Sequence, residues 1–210
     1  MFAIVTFLYF ALHLGYVARL VLSGRRGVFW GPDSMVPRPH DVVQFVQHVR
    51  YFLGLGPRPR FGRWTYWEKF DYWAVFWGVA IIGASGLLLW FPTFFARYLP
   101  GWGFNLALIV HSDEALLAVG FIFSVHFFNA NLRPEKFPMD PVIFTGRIEE
   151  DDLRREHPTE YERLLAEGRL EALRADPPPR WLRNFAWVAG LSALGTGLLL
   201  LYLIVLTALR

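Results

Sequence analysis

The 210-residue chain contains no cysteine, and this absence excludes several kinds of site. Without a thiol the chain makes no disulfide, iron–sulfur cluster, thiolate zinc site or covalent c-type haem attachment. The sequence also has no solenoid-type repeat and no nucleic-acid-binding motif, so we expect no nucleic-acid partner. Charged residues are only 19% of the chain, whereas hydrophobic residues make up 54% and aromatic residues 18%. This balance is typical of an integral membrane protein.

Four apolar stretches are long enough to cross a bilayer as helices, which takes about 20 residues each. They are Phe2 to Leu22, Asp71 to Phe91, Asn105 to Leu132, and Phe185 to Leu209. Tryptophans flank the second stretch on both sides, as interfacial aromatic belts do. The sequence therefore predicts an all-α integral membrane bundle of four transmembrane helices.

The distribution of basic residues predicts how these helices are oriented. The connection from residue 23 to 70 carries eight Lys/Arg against three acidic residues, so the positive-inside rule places it in the cytoplasm. The connection Pro92 to Gly103 has one basic residue, Arg97, and is expected outside, whereas the polar loop 133–183 is expected in the cytoplasm. We predict a multi-pass protein of the bacterial inner membrane with both termini outside. An outer, uncharged N-terminus is unusual and predicts that a further helix precedes Met1.

Two amphipathic segments predict helices in the cytoplasmic loops. Asp41 to Leu53 places Val42, Val46, Val49 and Leu53 at helical spacing and Gln44, His48 and Arg50 on the other face, which is typical of a helix lying on a membrane surface. Here His48 is expected to face solvent, and His40 and His157 are expected to be surface residues. In the second segment, Thr159-x-x-Glu162 is a capping-box pattern ahead of a leucine-rich run, and Asp176 to Pro179 forms a stiff linker.

The third span carries four ionisable residues, His111, Asp113, Glu114 and His126. Such groups inside a membrane mark a functional site by default, because they are costly to bury in lipid. In a regular helix the two histidines lie about 60° apart around the axis and roughly 22 Å apart along it. Two imidazoles placed this way suit two haems stacked across a bilayer.

Depth in the membrane predicts which histidines pair. At 1.5 Å per residue, His126 lies about 10 Å from Arg133 at the inner boundary, and His13 in the first span about 18 Å from Arg25. His111 lies about 33 Å from Arg133 on the same scale. Because haem b takes axial imidazoles from two helices, we predict a bis-histidine haem b between His13 and His126. His111 is then left without a partner in this chain. The alternative is that these histidines only make interhelical hydrogen bonds.

Charged residues near the histidines have two interpretations each. Arg19 and Arg133 lie at the predicted inner boundary, where they would either pair with haem propionates or anchor the helices by extending to the interface. Asp113 and Glu114 would either relay protons from a quinol or pair with Arg97 at the outer rim.

Several runs resemble the bacterial dihaem membrane cytochrome b family, which is similar to the gamma subunit of formate dehydrogenase and to hydrogenase b-type cytochromes. They are KFDYWAVFWG (Lys69 to Gly78), SGLLLW (Ser85 to Trp90), HSDEALLAVGFIFSVHFFN (His111 to Asn129) and LRPEKFPMD (Leu132 to Asp140). The resemblance covers nearly all of the chain from Met1 to about Leu165. Members often accompany multihaem cytochromes c.

The resemblance implies two haems b, each held between the first and third spans. His111 and His126 match the two ligands of the third span, and His13 matches the inner ligand of the first. The outer ligand and a preceding helix would fall before Met1. Three expectations stay open: a truncated start, another polypeptide that supplies the missing part and the partner of His111, or loss of the outer haem.

We therefore expect an electron-transfer subunit that contains one haem b and provides one axial ligand, His111, for a second. It would link a quinone, docked near Arg133 and Lys136, to a cytochrome c or an oxidoreductase. The expected domains are a haem-binding membrane domain (1–145), a polar helical segment with its proline linker (146–183), and a C-terminal transmembrane helix (184–210). The competing hypotheses are a haem-poor membrane anchor or assembly subunit, and a proton or metal transporter, for which no inverted repeat is visible.

Overall fold

A computed structural model describes residues 2–25, 27–134 and 136–208. The described residues form helices and connections, with no strand among them. In chain order the helices are α1 (Phe2–Leu22), α2 (Gly27–Trp30), α3 (Pro39–Phe52), α4 (Tyr66–Trp90), α5 (Pro92–Phe95), α6 (Gly101–Phe121), α7 (Val142–Thr145), α8 (Glu150–Glu156), α9 (Pro158–Ala166), α10 (Leu170–Leu173) and α11 (Arg180–Ala208). Two π-helical stretches, Ile122–His126 and Phe128–Leu132, continue α6.

Within the described ranges, four helices are long and apolar enough to cross a membrane. They are Ala3–Leu22, Tyr66–Trp90, Gly101–Leu132 and Arg180–Thr207. The all-α class and the four predicted spans are therefore confirmed. The last three helices begin four or five residues earlier than the apolar runs suggested. In α4 and α11 the added first turn includes charged residues, whereas in α6 it is Gly101 to Phe104, next to Pro100.

The early start of α4 has a specific cause in Thr65 and Glu68. The backbone N–H of Thr65 donates to the Glu68 carboxylate at 2.8 Å, and the backbone N–H of Glu68 donates to Thr65 Oγ1 at 3.3 Å. This reciprocal pair is a capping box, which satisfies backbone N–H groups that the first turn leaves unpaired. The Thr-x-x-Glu signature is visible in the sequence, so this boundary was predictable.

The chain divides into two compact units. The first comprises Met1–Ala80 and Glu150–Ala172, and the second comprises Ile81–Glu149 and Leu173–Arg210. In the first unit, α1 packs against α4 through the rings of Phe10 and Phe76, whose centroids are 5.2 Å apart.

Helix α3 in the first unit turns its polar face inward. Asp41 and Gln44 are buried; Gln44 Nε2 donates to the Arg60 carbonyl at 3.0 Å. The apolar residues lie on the outside, with Val42 64% and Leu53 66% exposed. The amphipathic helix is confirmed with nearly the predicted bounds. Gln44 and Asp41 lie on the inner face of α3, where each makes a polar contact, Gln44 to the Arg60 carbonyl and Asp41 to Lys69.

One of those contacts is an ion pair between Asp41 and Lys69. Lys69 Nζ lies 2.8 Å from Asp41 Oδ1 and 3.0 Å from Oδ2, and both side chains are 10% exposed. Asp41 Oδ2 also accepts the backbone N–H of Arg38 at 2.6 Å, next to the N-terminus of α3. The buried carboxylate is thus matched by a cation, a backbone donor and the helix dipole.

Helix α9 holds the arginine-rich connection of the first unit in place. The backbone N–H of Thr159 donates to the Phe61 carbonyl at 3.1 Å, and Phe61 is fully buried. The predicted capping box at Thr159 and Glu162 is wrong, because Pro158 already occupies the first helical position and Thr159 lies inside the helix. His157 is not a free surface residue either, since its Nδ1 donates to the Gly62 carbonyl at 2.7 Å.

An ion-pair cluster covers the C-terminal end of α9. Arg163 bonds Glu160 at 2.7 Å and Glu167 at 3.1 Å. The hydrogen bond that Arg163 donates to Glu160 is the main reason that the pKa of Arg163 is raised. The hydrogen bond from Arg169, followed by that from Arg163, lowers the pKa of Glu167. Both shifts favour the ionised forms of Arg163 and Glu167.

In the second unit, α11 approaches its neighbours at two glycines. A Cβ on Gly190 would collide with Met139, which is buried. A Cβ on Gly197 would lie 2.6 Å from Cε2 and 2.7 Å from Cζ of Phe127. The two glycines are seven residues apart and therefore share one face of the helix. Close packing of this kind is what small residues allow between membrane helices.

Candidate functional site

The imidazole of His111 is held by the neighbouring part of α4. Its Nδ1 lies 3.0 Å from Ser85 Oγ. The ring also lies against Gly86, where a Cβ would be 3.2 Å from Cε1 of His111 and 3.6 Å from Nδ1. No further hydrogen bond of this ring is found within the described ranges, so Nε2 is available to a ligand. A histidine held at one nitrogen and open at the other has the arrangement that metal-ligating imidazoles adopt.

His13 lies on α1 and faces α4. Its Nε2 is hydrogen-bonded to the Tyr72 hydroxyl at 3.0 Å, and its ring packs edge-on against Tyr72 and Phe76, with centroids 5.6 Å and 6.0 Å away. The interhelical contact occupies one of the two nitrogens that can coordinate a metal. A ligand at Nε2 of His13 would therefore require the Tyr72 hydroxyl to move.

His126 ends the first π-helical stretch of the third span. π-helical turns are rare and are often found at functional sites, because the extra residue re-aims the side chains around it. The angle of about 60° between His111 and His126 assumed a regular α-helix, so it does not describe this segment. The ring of His126 is exposed, with Phe127 as a neighbouring ring at 6.4 Å.

His13 belongs to the first compact unit and His126 to the second. Their pairing across one haem therefore stays a prediction. The groupings that the structure does establish are local: His13 with Tyr72, and His111 with Ser85. Neither partner was identified from the sequence, because each lies on another helix, 59 and 26 residues away.

The charged residues of the predicted site are placed as follows. Arg19 is exposed on α1, and Arg133 is half-buried directly after the second π-helical stretch. Lys136 is buried, with its Nζ 3.1 Å from the Asp140 carboxylate, so its charge is already balanced. Asp113 is exposed and Glu114 half-buried. No ion pair links either carboxylate to Arg97 among the described residues, so both alternatives for these carboxylates stay predictions.

His48 was expected in solvent and lies instead in an aromatic cluster. Its ring stacks on Phe52 at 4.4 Å and contacts Trp67 at 5.3 Å and Phe61 at 5.6 Å. Its Nδ1 is hydrogen-bonded to the Tyr66 hydroxyl at 3.0 Å. The expectation is wrong for the reason seen at Gln44: the polar face of α3 is its inner face. The density of aromatic residues between 61 and 67 was the available signal.

A bis-histidine haem b needs two imidazoles, and the described residues provide three chemically suitable ones on two membrane-length segments. His111 fits such a role as it stands, because one nitrogen is fixed and the other is open. His13 fits after a movement of Tyr72. The sequence matches no protein-family model, and neither a curated protein nor a solved structure matches it. The fold and the histidines thus define a class, that of helical proteins with four membrane-length helices and imidazoles within them.

Proposed function

We propose that this chain is a membrane cytochrome b subunit. It carries electrons through bis-histidine haem b between the quinone pool and a redox partner, either a multihaem cytochrome c or an oxidoreductase. The observation that carries the proposal is the imidazole of His111, which lies in a membrane-length helix with Nδ1 held by Ser85 and Nε2 open. When bound, the haem supplies reversible one-electron chemistry at its iron.

The residues of this chain have separate tasks in the proposal. His13 and His126 hold the inner haem, and His111 serves a second haem whose other ligand comes from another polypeptide. Arg19 and Arg133 would pair with the propionates, since guanidinium groups bind carboxylates well. The apolar helices keep water away from the cofactor. By itself the chain is an electron carrier, and the oxidoreductase reaction belongs to the complex.

We propose that a quinone docks near Arg133 and Lys136. Asp140 neutralises Lys136 at 3.1 Å, so the pair as a whole is nearly neutral. A neutral quinone headgroup does not need a net charge, and it would accept hydrogen bonds from donors of this kind. Replacing Lys136 with Met should weaken quinone binding, measured by displacement of a quinone-site inhibitor, without changing haem content.

The cytoplasmic arrangement is part of the proposal. Helix α3 presents valine and phenylalanine side chains outward, as does Leu53 directly after it, and Arg50 in its last turn is exposed. An anionic lipid surface accommodates apolar side chains and attracts arginine. We infer that α3 lies on the inner leaflet of the bacterial cytoplasmic membrane, and that the loop 133–183 is on the same side.

A second candidate, a haem-poor anchor or assembly subunit, is favoured by one observation. His13 already uses Nε2 in an interhelical hydrogen bond to Tyr72, which is how a structural histidine behaves. In that case the chain would hold a larger complex to the membrane and bind no haem.

The stoichiometry of bound haem separates the two candidates. We expect a pyridine haemochrome spectrum of the protein, purified in its complex, to show one or two b-type haems per chain. Replacing His126 with Ala should remove the inner haem. The exposed His40 is the matched control, and its replacement with Ala should leave the spectrum intact. A well-folded sample without b-type absorption would rule out the cytochrome b subunit.

A further inference from the structure

The hydroxyl of Ser85 has one proton, and the structure shows where that proton goes. Ser85 Oγ lies 2.7 Å from the carbonyl oxygen of Ile81 and 3.2 Å from that of Ile82. The contact to Ile81 is the shortest that Ser85 Oγ makes, and a serine in a helix commonly donates to the carbonyl four residues earlier, so we assign the hydroxyl proton to the α4 backbone. Ser85 is also buried, with 5% of its surface exposed, so water does not compete for this proton.

The contact between Ser85 and His111 must therefore run in one direction. At 3.0 Å it is a hydrogen bond in which the serine oxygen accepts and Nδ1 of His111 donates. A neutral imidazole carries a proton on only one nitrogen, so Nε2 then holds a lone pair. Gly86 adds a steric constraint, because the ring occupies the space that a side chain at position 86 would need.

We propose that Ser85 is a positioning residue that fixes His111 as the Nδ1–H tautomer and leaves its Nε2 lone pair for a haem iron. The nature of the ligand rests on the proposed function, whereas the tautomer rests on the hydrogen bonds alone. Outer partners of this kind set the orientation and basicity of a ligating histidine, and losing one typically lowers metal affinity about 10–100-fold.

The tautomer is tested first, without haem. The full chain is produced with isotope-labelled histidine and no haem, and nitrogen NMR distinguishes protonated from bare ring nitrogens; the His111→Gln variant identifies the signals. We expect protonated Nδ1 and bare Nε2 in the wild type, and a shift toward the Nε2–H tautomer in Ser85→Ala. Ser112→Ala is the matched control, because Ser112 adjoins His111 and donates only to the Leu108 carbonyl. A wild-type spectrum with the proton on Nε2 of His111 would overturn the inference, whether or not the Ser85→Ala variant folds.

Haem affinity is tested second, in a background that carries both His13→Ala and His126→Ala, so that neither ligand of the inner site contributes. Ferric haem is added with excess imidazole, which stands in for the axial ligand from another polypeptide. Ser85→Ala should lower the affinity about 10–100-fold, and Ser112→Ala should leave it unchanged. Equal affinity in both variants would refute the positioning role. If the tautomer is as expected and even the wild type binds no haem, the proposed function fails while the hydrogen-bond assignment stands.

Discussion

Gly195 and Gly197 lie two residues apart on α11 in different surroundings, so replacing each with alanine gives a direct comparison. A Cβ on Gly195 meets nothing within 4 Å, whereas a Cβ on Gly197 would lie 2.6 Å from Cε2 of Phe127. Ordinary carbon–carbon contacts lie at about 3.5–4.0 Å, so the Phe127 ring or the helix must move by about 1 Å. Overpacking of this degree typically costs about 1–3 kcal/mol.

The gain in helix propensity from Gly to Ala, about 1 kcal/mol, applies to both variants and cancels in the comparison. We therefore expect Gly195→Ala to be neutral or stabilising by up to about 1 kcal/mol. Gly197→Ala should be about 1–3 kcal/mol less stable than Gly195→Ala. The free energy of unfolding can be measured in detergent micelles by SDS titration followed by circular dichroism.

A double substitution isolates the contact itself. Replacing Phe127 with Ala removes the ring, so adding Gly197→Ala to that variant should cost little. Equal stability of Gly195→Ala and Gly197→Ala in the wild-type background would refute the close packing of α11 described above.

Three further predictions concern the first unit and the orientation of the chain. Asp41→Ala should destabilise the protein by about 3–5 kcal/mol, because it leaves the Lys69 charge buried without a partner. The double variant with Lys69→Met should recover most of this loss in the same SDS titration. A double variant as unstable as the single one would argue against the ion pair. Since the pKa of Glu167 is lowered on folding, its stabilising contribution is present above the unfolded value, about 4.3, and disappears as the pH falls through the lower folded value. Glu167→Gln should therefore flatten the acid limb of a stability–pH curve, and an unchanged limb would contradict this. Because the chain has no cysteine, an introduced cysteine is the only thiol that a maleimide can label. Asp151→Cys should react with a membrane-impermeant maleimide only in inverted vesicles, and Tyr98→Cys only in spheroplasts, whose outer membrane has been removed. The opposite pattern would reverse the proposed topology.

The membrane-length helices were predictable because the length and apolarity of a segment determine whether it can cross a bilayer. Their starts were less predictable, although the capping pair at the beginning of α4 left a sequence signature. The tertiary partners of His13 and His111 could not be predicted from the sequence, since they depend on which faces of separate helices meet.

The error at His48 shows a different limit of sequence reasoning. Helical spacing correctly divided α3 into two faces, but it does not say which face is the inner one. In water the apolar face turns inward, because its burial is favourable. When lipid is part of the solvent that assumption no longer holds, and a polar residue such as Gln44 becomes an interior residue.

The inverted orientation of α3 has a practical consequence for handling the protein. With Val42 and Leu53 on the outside and an ion pair inside, the fold of this segment depends on what solvates its outer surface. Detergents that cover this surface poorly should promote self-association, and added phospholipid should raise the thermal unfolding temperature. A fragment of the first unit without its membrane-length helices would carry the same apolar surface and would aggregate. Biochemical work on this region is therefore best done with those helices attached.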